Sequence, residues 1–221
     1  MKQLRLIITG ILLSKAAFGQ ILNFQAGTSF SKINNKGKVK FYEDQYNKTL
    51  IGYSAFIGLD YLNKTYFNIS SNIGLIRKGG SEYVLNTMTY KNVRYNLKIN
   101  TISINTTIDF KYPFGQSKNY IPYFGIGPRI DYIIKQTPNE IAHVDYDPLY
   151  GNIYTIEKYT KFKELSYGLI LSGGFKYNIS KYEIGLRYDN YVDFTKLEDS
   201  NTNTKTQRTF DINLTFGYKF K

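Results

Sequence analysis

The chain has 221 residues, no cysteine, and 29 Lys and Arg against 17 Asp and Glu, for a formal charge of +12. Without cysteine, a disulfide framework, thiolate chemistry and a lipoprotein anchor are excluded, and a hydrophobic content of 42% with a mean hydropathy of -0.36 is too polar for a bundle of membrane helices. The cations are interspersed with Asp and Glu, whereas a nucleic-acid reader gathers them on one face, so nucleic acid is not an expected partner.

The N-terminus carries Lys2 and Arg5 before the short apolar run Leu6–Leu13, with the small residues Ala17 and Gly19 ahead of Gln20. A run of about eight apolar residues is too short to span a bilayer as a helix, and the pattern reads as a secretory signal over residues 1–19. Losing its three cations (Lys15 is the third) would lower the charge from +12 to +9.

From there period-two alternation marks strands in order. The first, 22–32, faces Leu22, Phe24, Ala26, Thr28 and Phe30 one way; the second, 50–61, does so with Ile51, Tyr53, Ala55, Ile57, Leu59 and Tyr61. The third, 65–77, shows Phe67, Ile69, Ile73 and Leu75, and the fourth, 97–112, shows Ile102, Ile104, Ile108, Phe110 and Tyr112. The fifth, 121–135, presents Phe124, Ile126, Ile130, Tyr132 and Ile134; the sixth, 164–177, presents Leu165, Tyr167, Leu169, Leu171, Phe175 and Tyr177. The seventh, 182–192, holds Ile184, Leu186 and Tyr188. The closing segment, 208–221, sets Phe210, Ile212, Leu214, Phe216, Tyr218 and Phe220 against Thr209, Asp211, Asn213, Thr215, Gly217 and Lys219. Connections alternate short (62–64, 113–120, 178–181) and long (34–49, 78–96, 136–163, 192–206). An even strand count with alternating short and long connections predicts an all-β, eight-stranded antiparallel up-and-down transmembrane barrel over 20–221, its termini and short turns in the periplasm.

A soluble eight-stranded barrel shares the alternation but turns its apolar face inward. Here aromatics cluster at both ends of the apolar face: Tyr61, Phe67, Tyr112, Phe124, Tyr177, Tyr218 and Phe220 beside the short turns, and Phe30, Tyr53, Tyr132, Tyr167, Tyr188 and Phe210 near the long loops. At ~3.3 Å rise and ~40° tilt the two belts lie roughly 20–25 Å apart, the height of a lipid band. The opposite face carries recurrent glycines and the charges: Asp60, Asp109, Asp131, Glu183, Asp189 and Asp211 against Lys111, Arg129, Lys135, Lys176, Arg187 and Lys219. Turned to lipid, each cation near the midplane would cost about 2–4 kcal/mol, so this face points inward. Six acids and six bases in so narrow a barrel are expected to pair and fill it, closing the lumen to conduction.

Ile102–Tyr112 followed by Tyr120–Tyr132, with the Pro122–Pro128 core Pro-Tyr-Phe-Gly-Ile-Gly-Pro, resembles the outer-membrane β-barrel domain family of Bacteroidetes, which includes the PorT-like barrels. The resemblance implies an integral protein of the bacterial outer membrane without established enzymatic activity, and for its PorT-like branch a role beside a secretion machine. It transfers no functional residue.

Candidate chemistry is sparse. Gly125-Ile126-Gly127 lacks the third glycine and the helix of a dinucleotide site, and reads as strand. His143, Asp145 and Asp147 at alternating positions of the third long loop have the chemistry of a divalent-cation site but lack a specified fourth ligand, so no metal and no cofactor are assigned. His143 is the one histidine, and its place in mid-loop argues against a Ser–His hydrolase or a small lipid-modifying enzyme. Asn-x-Ser/Thr triplets at Asn47, Asn63, Asn68, Asn105 and Asn178 follow from an Asn-rich composition. The long loops, about a third of the chain, are rich in Tyr, Asn and Lys, a composition equally suited to recognition and to packing of loop on loop. The sequence thus points to a monomeric, non-catalytic barrel among outer-membrane lipids and lipopolysaccharide, with a ligand or protein partner at its loops.

Overall fold

The computed structural model describes residues 21–37, 46–86, 91–115, 119–137, 140–147, 151–158, 162, 164–196, 198–199 and 203–220; the expected signal over 1–19 lies outside them. Strands β1 (Ile21–Gly37), β2 (Leu50–Asn63), β3 (Phe67–Asn86), β4 (Lys91–Lys111) and β5 (Tyr120–Thr137) follow as a meander. A hairpin, β6 (Glu140–Asp147) and β7 (Gly151–Lys158), forms its own two-stranded sheet. The meander resumes with β8 (Leu165–Ile179), β9 (Tyr182–Asp193) and, after the two-residue β10 (Glu198–Asp199), β11 (Asn203–Lys219). β11 pairs antiparallel with β1 from Ile21↔Lys219 to Gly37↔Asn203, which closes eight strands into a barrel and leaves no sheet edge for lipid to meet.

Burial alternates as the sequence requires: β5 and β9 read exposed–buried residue after residue along most of their length. The exposed side is the apolar one, with Ile104 50%, Ile130 50% and Leu214 69% exposed. Aromatic rings meet across strands at both rims of this band. Phe30 stacks on Phe210 at 5.0 Å and Tyr188 lies 5.8 Å from Phe210 on the loop side, while Tyr120–Phe175 (5.7 Å) and Tyr182–Phe216 (5.6 Å) mark the turn side.

Two of the predicted long loops are largely strand. β3 and β4 stay paired from Lys78↔Ile99 out to Asn86↔Lys91, so the described residues of the predicted loop 78–96 continue the two strands, and from Gly79 outward they form a two-stranded ribbon beyond the barrel. Gly79, at φ 140°, sits where β3 leaves the barrel wall, a conformation that side-chain-bearing residues rarely adopt. The ribbon escaped the alternation test because its faces are not segregated into apolar and polar. The predicted loop 136–163 contains the β6–β7 hairpin, with Glu140↔Lys158 and Asp147↔Gly151 as its end pairs.

Candidate functional site: the lumen and its two ends

The interior is best followed along β9, whose inward residues rise from the short turn before Tyr182 in the order Glu183, Arg187, Asp189, Tyr191 and Asp193. At the lowest level Lys176 lies 3.2 Å from Asp60 and 3.6 Å from Glu183, and Lys219 lies 3.4 Å from Glu183. Asp60 also anchors an amide ladder. Asn23 Nδ2 donates to Asp60 at 2.7 Å, Gln25 Nε2 donates to Asn72 Oδ1 at 3.0 Å and Asn72 Nδ2 donates to Asn105 Oδ1 at 3.0 Å, tying β2, β1, β3 and β4 together. Each bond is modest in net terms, yet any one left unmade would cost the desolvation of a buried amide.

One level up, Arg187 Nε donates to both oxygens of Asp189 (2.8 and 2.9 Å), with Asp109 3.8 Å from its Nη1. Gly125 lies beside Asp109 and Ser172, and a methyl group there would overlap both, so this glycine makes the room the carboxylate occupies. Above it an apolar layer of Phe56, Ile76, Ile170 and Tyr191 crosses the lumen, and the Tyr191 hydroxyl donates to Asp211 at 2.8 Å. A third ionic layer follows: Lys78 bonds Asp131, Arg129 bonds Asp193 and lies 3.1 Å from Asp131, and the Arg129 guanidinium sits 4.4 Å over the Tyr191 ring. A second apolar layer of Ile33, Tyr46, Leu97, Ile99 and Phe162 caps the loop end. Within the barrel a cavity of about 10 Å³ lies against Tyr123 and Arg187, at the limit of what one water needs. The described residues leave no open bore.

The expected inward charges are therefore brought together, with one exception. Lys135 is exposed because β5 carries an extra residue, Ile134, where the pairing jumps from Asn100↔Lys135 to Thr101↔Ile133; this bulge reverses the parity beyond it. Its place in the ionic count goes to Lys78, which the sequence reading assigned to a loop, and Asp193 joins as a further acid. The apolar layers were also missed. Phe56 between Ser54 and Gly58, in the polar phase of β2, was the available sign, and Gly74 facing its ring completes it.

His143, Asp145 and Asp147 occupy alternate positions of β6, so the backbone sets them on one face of a strand rather than in an irregular loop. Their side chains lie outside those described. Among the described residues no group of three or more His, Asp or Glu side chains is placed to hold a metal.

No protein-family profile and no curated protein matches the chain. Among solved structures it is similar to the outer membrane protein OprG from Pseudomonas aeruginosa, at 12% identity and a TM-score of 0.53, covering 92% of this chain and 96% of that one. Weaker likenesses are to the outer membrane protease OmpT from Escherichia coli (8% identity, TM-score 0.46, 91% and 97% covered) and to Neisserial surface protein A (15% identity, TM-score 0.44, 90% and 97% covered). Likeness at this level shows the fold alone, and it leaves catalysis open. The class that fold and surface define is the small β-barrel of the bacterial outer membrane. The apolar band is the surface that faces hydrocarbon, with the long connections at one end of the barrel and the short turns at the other.

Proposed function

We propose that this barrel is a closed, non-catalytic scaffold that works through its loop end, as a monomer in a lipopolysaccharide leaflet, presenting ribbon, hairpin and loops to a ligand or protein partner. The observation that carries this reading is where the chain spends its length. A spanning strand needs about ten residues, yet β3 has 20 and β4 has 21, and the surplus stands outside the barrel with β6 and β7. The lumen, blocked at two apolar and three ionic levels, supports a scaffold and gives no path for conduction.

Support for lipopolysaccharide comes from the cations just beyond the loop-side aromatics. Lys32 pairs with Arg208 across β1 and β11, both outward, over a depression of about 320 Å³ between Phe30, Tyr188 and Phe210. Arg77 lies 4.6 Å over the Tyr53 ring, and Lys98 and Lys135 are exposed nearby. Such a collar meets the phosphates of an anionic leaflet where the hydrocarbon ends. The double substitution Lys32→Ala/Arg208→Ala is expected to lower the lipopolysaccharide phosphate that copurifies per barrel; an unchanged ratio refutes the lipid contact. Recognition at the loop end is tested by pull-down from native membranes. A partner captured by the intact chain should be lost when residues 140–158 are replaced by a short Gly-Ser turn. The accessory role beside a secretion machine, implied by the PorT-like resemblance, would use the same surface and identify itself by that partner. A lipid-modifying activity would instead depend on His143 and vanish in His143→Ala.

A further inference from the structure

The periplasmic mouth is unlike the sealed loop end. A vestibule of about 260 Å³ opens there between the ends of β2, β4, β8 and β11, and four lysines, Lys64, Lys111, Lys176 and Lys219, line it. The carboxylates facing them are Glu183 at the wall and Asp60 just beneath. Glu183 is shared between Lys176 (3.6 Å) and Lys219 (3.4 Å), and Lys176 is shared in turn with Asp60 (3.2 Å). Lys111 hydrogen-bonds the side-chain oxygen of Asn63, and Lys219 donates to Asn178 Oδ1 at 2.9 Å. Among the described residues Lys111, Lys176 and Lys219 outnumber Glu183 and Asp60 around a half-enclosed volume, where potentials are focused rather than screened. Because Asn63 and Asn178 turn their oxygens to lysines, each keeps its NH₂ group as a donor at the wall.

The geometry points to an anion site at the periplasmic mouth that takes a compact anion, a phosphate or a short dicarboxylate, between Lys111, Lys176 and Lys219. The space is smaller than the roughly 300–1,000 Å³ of sites for larger ligands, which sets the size class. Lysine ammoniums act as point charges approaching from different strands, and this suits a tetrahedral or two-ended anion better than a single planar carboxylate. This site is independent of the loop-end reading, since it lies at the opposite mouth and uses none of the same residues.

The test is calorimetric titration of the full chain, purified in zwitterionic detergent, with inorganic phosphate and separately with succinate. Saturable binding of at least one is expected at low ionic strength, weakened at least fivefold in Lys111→Met/Lys219→Met and unchanged in Lys181→Met, whose exposed side chain is not part of the lining. Glu183→Gln removes the competing acid and should tighten binding, whereas Asn178→Asp adds one and should weaken it. These two variants keep the lysines in place and so answer even if the double substitution fails to fold. Binding of succinate alone assigns the site to carboxylates, and of phosphate alone to phosphoryl groups. No saturable heat from either anion, or equal affinity in wild type, Glu183→Gln and Asn178→Asp, overturns the site.

Discussion

Asp131 is the residue on which the upper ionic layer turns. It is fully buried, bonds Lys78 and lies 3.1 Å from Arg129. Removing one partner of a buried ion pair strands the others in a dry interior, a loss on the order of 3–5 kcal/mol. Asp131→Ala is accordingly expected to lower the denaturant midpoint of the folded, heat-modifiable band by that order, while the exposed Lys181→Ala should shift it by no more than about 0.5 kcal/mol. A midpoint for Asp131→Ala equal to wild type would mean the layer is ornamental to stability. At this scale the sequence was legible wherever parity held, and of the twelve charges assigned inward nine lie within the lumen, Lys111 and Lys219 line its mouth, and Lys135 alone points out; the departures have local causes. The bulged Ile134 reversed Lys135, and no single-residue pattern in 132–137 announces such an insertion. Lys78 was hidden by its neighbours Gly79 and Gly80, which read as the start of a loop yet continue a strand.

Among elements, β11 was the most legible, because its whole length separates apolar from polar residues and its partners β1 and β9 do the same. At its centre Leu214 faces Ala26 on one side and Leu186 on the other and is 69% exposed to what must be hydrocarbon. Leu214→Arg should destabilise the barrel in bilayers by about 2–4 kcal/mol, and Phe210→Arg, at the rim, by no more than about 1 kcal/mol. Equal costs at the two positions, measured by reversible folding into vesicles, would remove the depth dependence on which the membrane orientation rests. The β3–β4 ribbon and the β6–β7 hairpin were illegible for the opposite reason. Both stand beyond the apolar band, where neither face is forced to be oily, so pairing there is specified by register with a neighbour and leaves no period-two trace.

For the molecule as a whole, the closed sheet and the packed lumen separate the stability of the barrel from the ribbon and hairpin beyond it. Barrel closure runs through β1 and β11, and the β6–β7 hairpin forms a sheet of its own, so replacing 140–158 should leave heat-modifiable folding intact. Loss of the folded band in that variant would show that the hairpin belongs to the barrel's folding unit. In planar bilayers the wild-type barrel is expected to give no steady single-channel steps, since the two apolar layers leave no continuous polar path; reproducible steps would contradict the sealed lumen.

The two ends of the lumen differ, oily at the loops and basic at the turns. Among the described residues the lumen is therefore a blind well, closed at its loop end and open at its turn end. Through the described residues solvent isotopes, protons and small ions reach its inner walls from the turn end alone, so in the proposed orientation interior exchange should follow the composition of the periplasm and ignore that of the medium outside. In the proposed orientation a reporter placed near Lys176 would sample the compartment behind the membrane, while the ribbon and hairpin stand in the one before it.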